Sequence, residues 1–253
     1  MEPVSSFVLT YVLMIVIKIS GVFLTSDNQG NAYLISSDNV IGKYDSDGQL
    51  ENTYSNKLSG TPTFVDAANP QKVLVFYKDF GVVKMLDNKL ALLASFDLHK
   101  IGIQKPSLIC SSADGNFWVY DEADFKLKKV DDNQKIIKQS DDVTVWIRHS
   151  INPDFMTEYN NFIYLSDPQG GIYSFDQYAN FYSIIPLNIT NGFQVYSDQF
   201  FYLENNEVMI FDLKQQQVQL THLPVANVKQ FRFEANRLFV LTADGLSVYT
   251  FSS

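Results

Sequence analysis

The strongest constraint in this sequence is a repeat with a period near 40 residues. An apolar residue followed by aspartate recurs at spacings of 36 to 45 residues, and the series ends on Phe251-Ser252. The aspartates are Asp45, Asp87, Asp131, Asp176 and Asp212. Because periods of about 20 to 50 residues are typical of chains built from stacked or ring-forming units, the sequence predicts six copies of one structural unit.

A second marker keeps the same register. Apolar blocks of four residues, 38 to 45 residues apart, begin at Ala32, Val73, Phe117, Phe162, Phe200 and Leu238. A polar turn precedes each block, and shorter strands with Gly, Asn and Asp between them flank it. The continuous apolar block indicates a second strand buried on both faces, and the more polar strands indicate outer positions. The pattern predicts an all-β fold, a six-bladed β-propeller of four-stranded antiparallel blades.

The repeats define the predicted boundaries of a single propeller domain, residues 1–253. They run at about 21–54, 62–97, 107–139, 155–186, 192–222 and 228–252. The last repeat ends after its third strand, which would leave an open sheet edge. We therefore predict that residues 7–17 form the outer strand of the sixth blade, so that an N-terminal strand closes the ring.

The same apolar run allows a second interpretation, a cleaved signal peptide. Its length suits a signal-peptide core, but the preceding "MEPVSS" lacks the positive charge that normally begins one. The run is too short for a comfortable membrane span, so no transmembrane segment is predicted. We favour the closing strand.

Charge and cysteine content exclude some classes of function. Lys and Arg number 19 against 28 Asp and Glu, a net charge of −9, which repels phosphate backbones and anionic lipid. No nucleic-acid partner is therefore expected. The only cysteine, Cys110, cannot form an intramolecular disulfide and is predicted to be a small buried core residue.

One stretch, "KYDSDGQLENTY" at residues 43–54, has the appearance of a calcium loop. An EF-hand loop needs oxygen ligands at positions 1, 3 and 5, Gly at 6 and Glu at 12. Placing Gly48 at position 6 puts Lys43 at position 1 and Tyr54 at position 12, and a loop that starts at Asp45 fails as well. Asp followed by Gly suits a tight hairpin turn instead.

Motifs for catalysis are absent from the sequence. The three histidines, His99, His149 and His222, are scattered, and none belongs to an HExxH motif. The nucleophile patterns GxSxG and SxxK do not occur, nor does a glycine-rich phosphate loop. We predict no catalytic residue, no cofactor and no metal site.

Two units resemble a known repeat family. Residues 30–50, "GNAYLISSDNVIGKYDSDGQL", and residues 115–136 resemble the NHL repeat, while "YLSD" at 164–167 is similar to the Tyr-Trp-Thr-Asp signature of another six-bladed group. The resemblance covers about residues 21–253 and is to six-bladed propellers of NHL-like or TolB-like type. No Trp-Asp dipeptide ends a strand, which argues against WD40 repeats. The acidic, aromatic, nearly cysteine-free composition also looks like small exported propellers of Gram-negative envelopes. That likeness implies a location in the periplasm or cell envelope, with the cytoplasm as the alternative.

Loop positions suggest where a partner would bind. The links between blades and the loops between second and third strands share one face of a propeller, and the link at 140–154 is unusually long. The candidate partner-binding residues on this face are Tyr77, Phe80, Trp146, Arg148 and His149. Two alternatives stay open, namely that Trp146 fills the space between blades three and four and that His149 is a solvated loop residue.

The expected function is a non-catalytic protein-interaction module. The envelope resemblance implies an accessory subunit of an outer-membrane assembly or secretion complex. The competing hypothesis is an enzyme or small-ligand binder with its site in the central channel, like propeller lyases and lactonases.

Overall fold

The computed structural model describes residues 5–6, 9–147 and 151–252. The fold is all-β, with six blades of four antiparallel strands in a propeller arrangement and 4% helix, which confirms the predicted fold class. The chain divides into two compact units. The terminal unit consists of Met1–Ser55 and Phe193–Ser253, and the central unit consists of Asn56–Gly192.

The strands are numbered in chain order. The first six are β1 (Ser5–Ser6), β2 (Thr10–Ile17), β3 (Gly21–Ser26), β4 (Ala32–Ser36), β5 (Ile41–Tyr44) and β6 (Leu50–Tyr54). The central unit contains β7 (Phe64–Asp66), β8 (Val73–Tyr77), β9 (Val82–Leu86), β10 (Leu92–Asp97), β11 (Pro106–Ser111), β12 (Phe117–Asp121), β13 (Lys126–Val130), β14 (Ile136–Gln139), β15 (Phe155–Tyr159), β16 (Phe162–Asp167), β17 (Gly171–Asp176) and β18 (Phe181–Ile185). The last strands are β19 (Gln194–Tyr196), β20 (Gln199–Glu204), β21 (Glu207–Asp212), β22 (Gln217–His222), β23 (Gln230–Glu234), β24 (Arg237–Leu241) and β25 (Leu246–Ser252). Short 3-10 helices span Lys57–Ser59, Lys78–Phe80 and Val143–Val145.

The terminal unit holds blades one, five and six. Blade one is β3-β4-β5-β6, and blade five is β19-β20-β21-β22. In blade six, β2 pairs antiparallel with β25, from Thr10 opposite Ser252 to Ile17 opposite Leu246. This strand is therefore the outermost of the sixth blade, as predicted for the N-terminal run, while residues 7–8 lie outside the described residues.

The central unit holds blades two, three and four. These are the sheets β7-β8-β9-β10, β11-β12-β13-β14 and β15-β16-β17-β18. Each is a meander of antiparallel neighbours, which short polar hairpins make possible.

The aspartates that mark the repeat close the hairpin between third and fourth strands. The carboxylate of Asp45 accepts hydrogen bonds from the backbone N–H groups of Asp47 (2.9 Å) and Gln49 (2.8 Å). Gly48 supplies a positive φ of 81°, where a side chain would be strained. The same carboxylate-to-backbone bonds occur at Asp87, Asp131 and Asp176, while Asp212 accepts from the N–H groups of Lys214 and Gln215, two and three residues on. The stretch at 43–54 is thus a hairpin whose aspartate satisfies its own turn.

The second strands form most of the core. Strands β4, β8 and β12 are buried at every residue, as expected for apolar blocks with a neighbour on each face. Cys110 is fully buried beside β12, which confirms its predicted role, and burial raises the pKa of its thiol. Strand β20 departs from the prediction. Its residues alternate between buried and half-buried, with Phe201 and Leu203 on the less buried face.

Side chains on the first strands bind the backbone of the next blade. The carboxylate of Asp66 accepts the N–H of Ser111 at 2.8 Å, and the amide oxygen of Gln230 accepts the N–H of Leu24 at 2.6 Å. Each of these bonds satisfies a backbone donor that the sheet itself leaves unpaired. The bonds fix the spacing of adjacent blades within each unit.

Candidate functional site

The predicted partner-binding residues are only partly at the surface. Phe80 is 57% exposed in the helix Lys78–Phe80, and Trp146 is 49% exposed. Tyr77 is only 1% exposed, so its predicted place on a binding surface is corrected. It is the last residue of β8, a strand buried on both faces, and it belongs to the core of blade two. Arg148 and His149 lie outside the described residues.

Trp146 does not fill the space between blades three and four. Its ring stacks on Phe181 of β18, with centroids 5.5 Å apart and planes within 6°. The buried side chains that pack between these blades are its neighbours Val143 and Ile147, which join the cluster around Trp118. Trp146 therefore covers the outer strand of blade four and leaves about half of its surface open to solvent.

The terminal unit contains a groove lined largely by aromatic and amide side chains. It encloses about 900 Å³ between blades five and six. Its lining comes from β19, β20, β21 and β22 of blade five, from β23, the turn that follows it and β25 of blade six, and from Leu9 and Asn28. The lining residues are Leu9, Asn28, Gln194, Tyr196, Gln199, Phe201, Ile210, Gln219, Thr221, Phe233, Glu234, Ala235, Asn236 and Phe251. Volumes of this size are typical of ligand and peptide sites.

Aromatic rings form the floor of the groove. The rings of Phe201 and Phe233 lie 6.0 Å apart, and Phe233 meets Phe251 edge-on at 5.4 Å. Tyr11 packs edge-on behind Phe251 at 6.4 Å. These contacts hold the rings in fixed orientations, so the floor is a pre-formed apolar surface. At the rim, Tyr196 is 65% exposed.

A glutamine joins the two blades at the inner end of the groove. The side chain of Gln194 donates from Nε2 to the carbonyl of Phe233 at 2.6 Å and accepts from the N–H of Phe233 at 3.0 Å. This pair of bonds reproduces the pairing of two strands and locks β19 to β23. A second amide, Gln199, donates to the carboxylate of Asp212 at 3.2 Å. The inner wall is therefore polar and rigid.

Glu234 supplies the only acidic side chain among the lining residues, which include no Lys, Arg or His. Burial, and after it the nearby carboxylate of Asp27, raises the pKa of its carboxyl to about 7, against a backbone hydrogen bond from Ala235 that lowers it. Asp27 is itself buried and accepts hydrogen bonds from the N–H of Asn31 and the hydroxyl of Tyr33, each at 2.9 Å. The groove thus contains a half-buried carboxyl next to a second negative group.

The start of the chain crosses the outer end of the groove. Strand β1 pairs in parallel with β22, with Ser5 opposite Gln219 and Ser6 opposite Leu220. The chain then passes Leu9, which lines the groove, and enters β2 in the neighbouring blade. Blade five therefore already accepts an added strand at its outer edge. The sequence did not predict this strand.

A smaller cavity of about 180 Å³ lies in the central unit, beside Asp154 and Lys78. Burial raises the pKa of the Asp154 carboxyl. Within the described ranges, no three His, Cys, Asp or Glu side chains are placed to hold a metal ion. Nor does any helix there have the length and apolar character to span a membrane.

Sequence reasoning missed the groove because it favoured the opposite set of loops. The groove opens toward the hairpins between first and second strands, such as 196–199 and 234–237. No signal in the sequence marked the groove, because Gln199 and Gln219 fall at positions where the other repeats are also mostly polar.

Comparisons with known proteins support the fold alone. No protein-family model matches the chain, and no curated protein matches it. The WD40 domain of Neurospora crassa Pan2 has a TM-score of 0.68 at 10% identity, covering 95% of this chain and 95% of that one. Virginiamycin B lyase from Staphylococcus aureus has a TM-score of 0.58 at 14% identity, covering 96% and 88%. BamB from Moraxella catarrhalis has a TM-score of 0.51 at 14% identity, covering 90% and 82%.

These structures place the chain among β-propellers. They differ in function, and identities this low carry no activity from one protein to another. The NHL-like or TolB-like type stays a prediction.

Proposed function

We propose that this chain is a non-catalytic protein-interaction module that binds an extended segment of a partner protein in the groove between blades five and six. The groove itself carries the proposal, since it combines a fixed aromatic floor with an exposed tyrosine at its rim. Aromatic residues held in place lose little conformational freedom on binding and are enriched at the centres of interfaces.

The outer edge of the groove supports an extended occupant. Within the part of the chain that the structure describes, strand β22 takes β1 as a parallel neighbour at Gln219 and Leu220, two of its six residues. Addition of a strand to a sheet edge is a common mode of peptide recognition, because main-chain hydrogen bonds supply affinity and side-chain pockets supply specificity. A partner segment lying along the groove would have both the main-chain hydrogen bonds of a sheet edge and a pocket for its side chains.

We further propose that the partner belongs to a bacterial envelope complex. The composition that resembles exported propellers and the fold shared with BamB support this location. Fractionation of cells that express the tagged protein tests it, because recovery in the cytosolic fraction alone would refute it. The lyase-like hypothesis has the fold of virginiamycin B lyase in its favour, but a shared fold does not carry a reaction.

A selection with random peptides tests the proposed function directly. We expect a phage-displayed library of random twelve-residue peptides to yield binders, which are then synthesised and measured by fluorescence anisotropy. Tyr196→Ala removes the exposed ring at the rim and should weaken binding about tenfold, equivalent to roughly 1.4 kcal/mol. Tyr182→Ala is the matched control, because Tyr182 is similarly exposed (68%) but lies on β18 outside the groove. Failure to select peptides, or equal sensitivity to both substitutions, would refute the proposal.

A further inference from the structure

The outer strands of the six blades differ in how regularly they pair. In blades one, two, three, four and six the pairing of the third strand with the outer strand shifts register, so the outer strand carries one extra residue, a β-bulge. The extra residues are Glu51, Leu93, Ile137, Tyr182 and Met14. In the part of the chain that the structure describes, β22 is the one outer strand that pairs without a shift, from Gln217 opposite Asp212 to His222 opposite Glu207.

The hairpin before β22 also differs from its counterparts. In the first four blades the aspartate carboxylate accepts the N–H of the residue four positions on, and the outer strand begins directly after that residue. In blade five Asp212 accepts from Lys214 and Gln215 instead, and Gln217 pairs directly with Asp212. The regular strand therefore follows a turn of a different kind.

A bulge at a sheet edge hinders the addition of another strand. It interrupts the regular spacing of the N–H and C=O groups and twists the edge, which is one way that proteins prevent unwanted pairing between sheets. Five blades have this protection, whereas β22 presents a regular edge of six residues. That edge does accept a strand, because β1 pairs with it in parallel at Gln219 and Leu220. The pairing pattern therefore singles out blade five as the blade that can receive an added strand.

The position of β22 beside the groove determines which side chains an added strand would need. Gln219 and Thr221 line the groove, and Leu220 between them lies on the opposite face of the sheet. In a parallel strand paired as β1 is, the residues opposite Gln219 and Thr221 would also face the groove. Apolar side chains suit these alternate positions, because the floor of the groove consists of aromatic rings.

From these observations we infer that the partner segment binds as a strand parallel to β22, in the place that β1 occupies, and carries an apolar residue at every second position. The inference rests on the proposed function and specifies the binding mode, the orientation and the chemistry of the partner. In the free protein, β1 is then an intramolecular competitor for the same edge.

The effect of this competition on affinity can be estimated. Strand β1 pairs with only two residues of β22 in the described part of the chain, but it is joined to β2 through residues 7–9. A short tether gives a high effective concentration, so a weakly pairing strand can still occupy the edge most of the time. If β1 is paired about ten times as often as it is released, it weakens the apparent affinity for a partner segment about elevenfold.

Backbone N-methylation tests the addition of a strand directly. The tightest peptide selected from the random library is synthesised as a series with one N-methylated residue in each member, and binding to the full-length protein is measured by fluorescence anisotropy. A strand directs alternate N–H groups at its neighbour, so methylation should weaken binding about tenfold at every second residue and be tolerated at the residues between. A series without this alternation would overturn the inference.

Deletion of residues 1–6 tests the competition. The deletion removes β1, keeps β2 and the groove, and should tighten binding of the same peptide roughly tenfold. Ser5→Ala combined with Ser6→Ala is the matched control, because it keeps the main chain that pairs with β22 and should leave the affinity unchanged. Equal or weaker binding by the shortened protein would contradict the inference. Dimerisation of that protein in sedimentation velocity would contradict it as well, since a second copy would then be the strand that β22 accepts.

The outcomes separate the two proposals. The N-methylated series uses the unaltered protein, so it decides the binding mode even if the deletion impairs folding. Peptides that bind with sensitivity to Tyr196→Ala but show no alternation under N-methylation would overturn the inference and leave the proposed function in place. Absence of any peptide that binds the groove would overturn both.

Discussion

Glu158 joins blade four to blade three through two hydrogen bonds. It lies in β15, and its carboxylate accepts from the indole Nε1–H of Trp118 at 2.6 Å and from the backbone N–H of Ala113 at 2.8 Å. Trp118 is fully buried, whereas Ala113 is exposed. Removing the carboxylate should therefore affect the two donors unequally.

The loss of stability in Glu158→Ala depends on how exposed each of the two hydrogen-bond donors is. In Glu158→Ala the indole N–H of Trp118 is buried without an acceptor, which costs about 1 to 3 kcal/mol. The N–H of Ala113 can hydrogen-bond to water instead. The loss of its bond to Glu158 therefore lowers the free energy of unfolding by only about 0.5 kcal/mol. We expect a total loss of about 1.5 to 3.5 kcal/mol in the free energy of unfolding, or a fall of roughly 3 to 14 °C in the thermal midpoint. Glu158→Gln keeps one acceptor for the indole and should cost only about 1 kcal/mol.

Tryptophan fluorescence gives the assay a local probe. The chain has two tryptophans, so a Trp146→Phe background leaves the emission of Trp118 alone. Urea unfolding followed at this single residue measures the free energy, and the native emission maximum reports the environment of the indole. Glu204→Ala, an exposed position, should stay within about 0.5 kcal/mol of the background. The reasoning is refuted if Glu158→Ala lowers the free energy of unfolding no more than this control does, or if Glu158→Gln lowers it as much as Glu158→Ala.

Three further predictions concern the backbone, pH and the outer strand. Gly245→Ala should lower the thermal midpoint strongly, because φ is +138° and a Cβ would lie 2.1 Å from the carbonyl oxygen of Ile17. Gly102→Ala is the control, because φ is also positive there (+92°) but an added Cβ would have no atom within 4 Å. Hydrogen bonds from the turn lower the folded pKa of Asp131, so its contribution to stability is complete above the unfolded pKa of about 4 and is lost as the pH falls. Asp131→Asn should therefore flatten the fall in stability below pH 4, measured by urea unfolding at several pH values. Val16→Lys, at a 48% exposed position on the edge strand β2, should raise the concentration at which aggregation begins in light scattering, with the thermal midpoint unchanged.

Local chemistry explains which parts of the fold were predictable. Asp45 and its four counterparts satisfy their own hairpins, so the spacing of these residues counted the blades without any knowledge of distant contacts. The apolar run that contains Thr10–Ile17 was assigned as an outer strand from a topological argument, because a propeller blade with three strands leaves an open edge. The pairing with β25 confirms that part of the fold prediction. The parallel addition of β1 to β22 was not predicted, since two serines carry no pattern of strand hydrophobicity.

The candidate site was less predictable, because it depends on which apolar residues remain uncovered. Tyr77 and Phe80 are close in sequence and similar in type, yet one is buried at the end of β8 and the other is exposed on the next turn. Trp146 stacks on Phe181, which is 35 residues away in sequence, and nothing in either local segment indicates that contact. The predicted partner-binding face stays a prediction, because packing between blades decides which of its aromatic residues are exposed.

The groove follows from an incomplete burial of blade five. In blade three the apolar block is covered on both faces, and β12 is buried throughout. In blade five the same block gives β20, where Phe201 and Leu203 on one face remain half-buried. The sequence of β20 is apolar enough for a strand that is buried on both faces, but the folded chain leaves one of those faces half-buried. Apolar surface left uncovered in a pre-formed concavity is the property that distinguishes interaction sites from ordinary surface. We therefore propose that the apolar surface left half-buried on β20 serves binding of a partner and not the stability of the propeller.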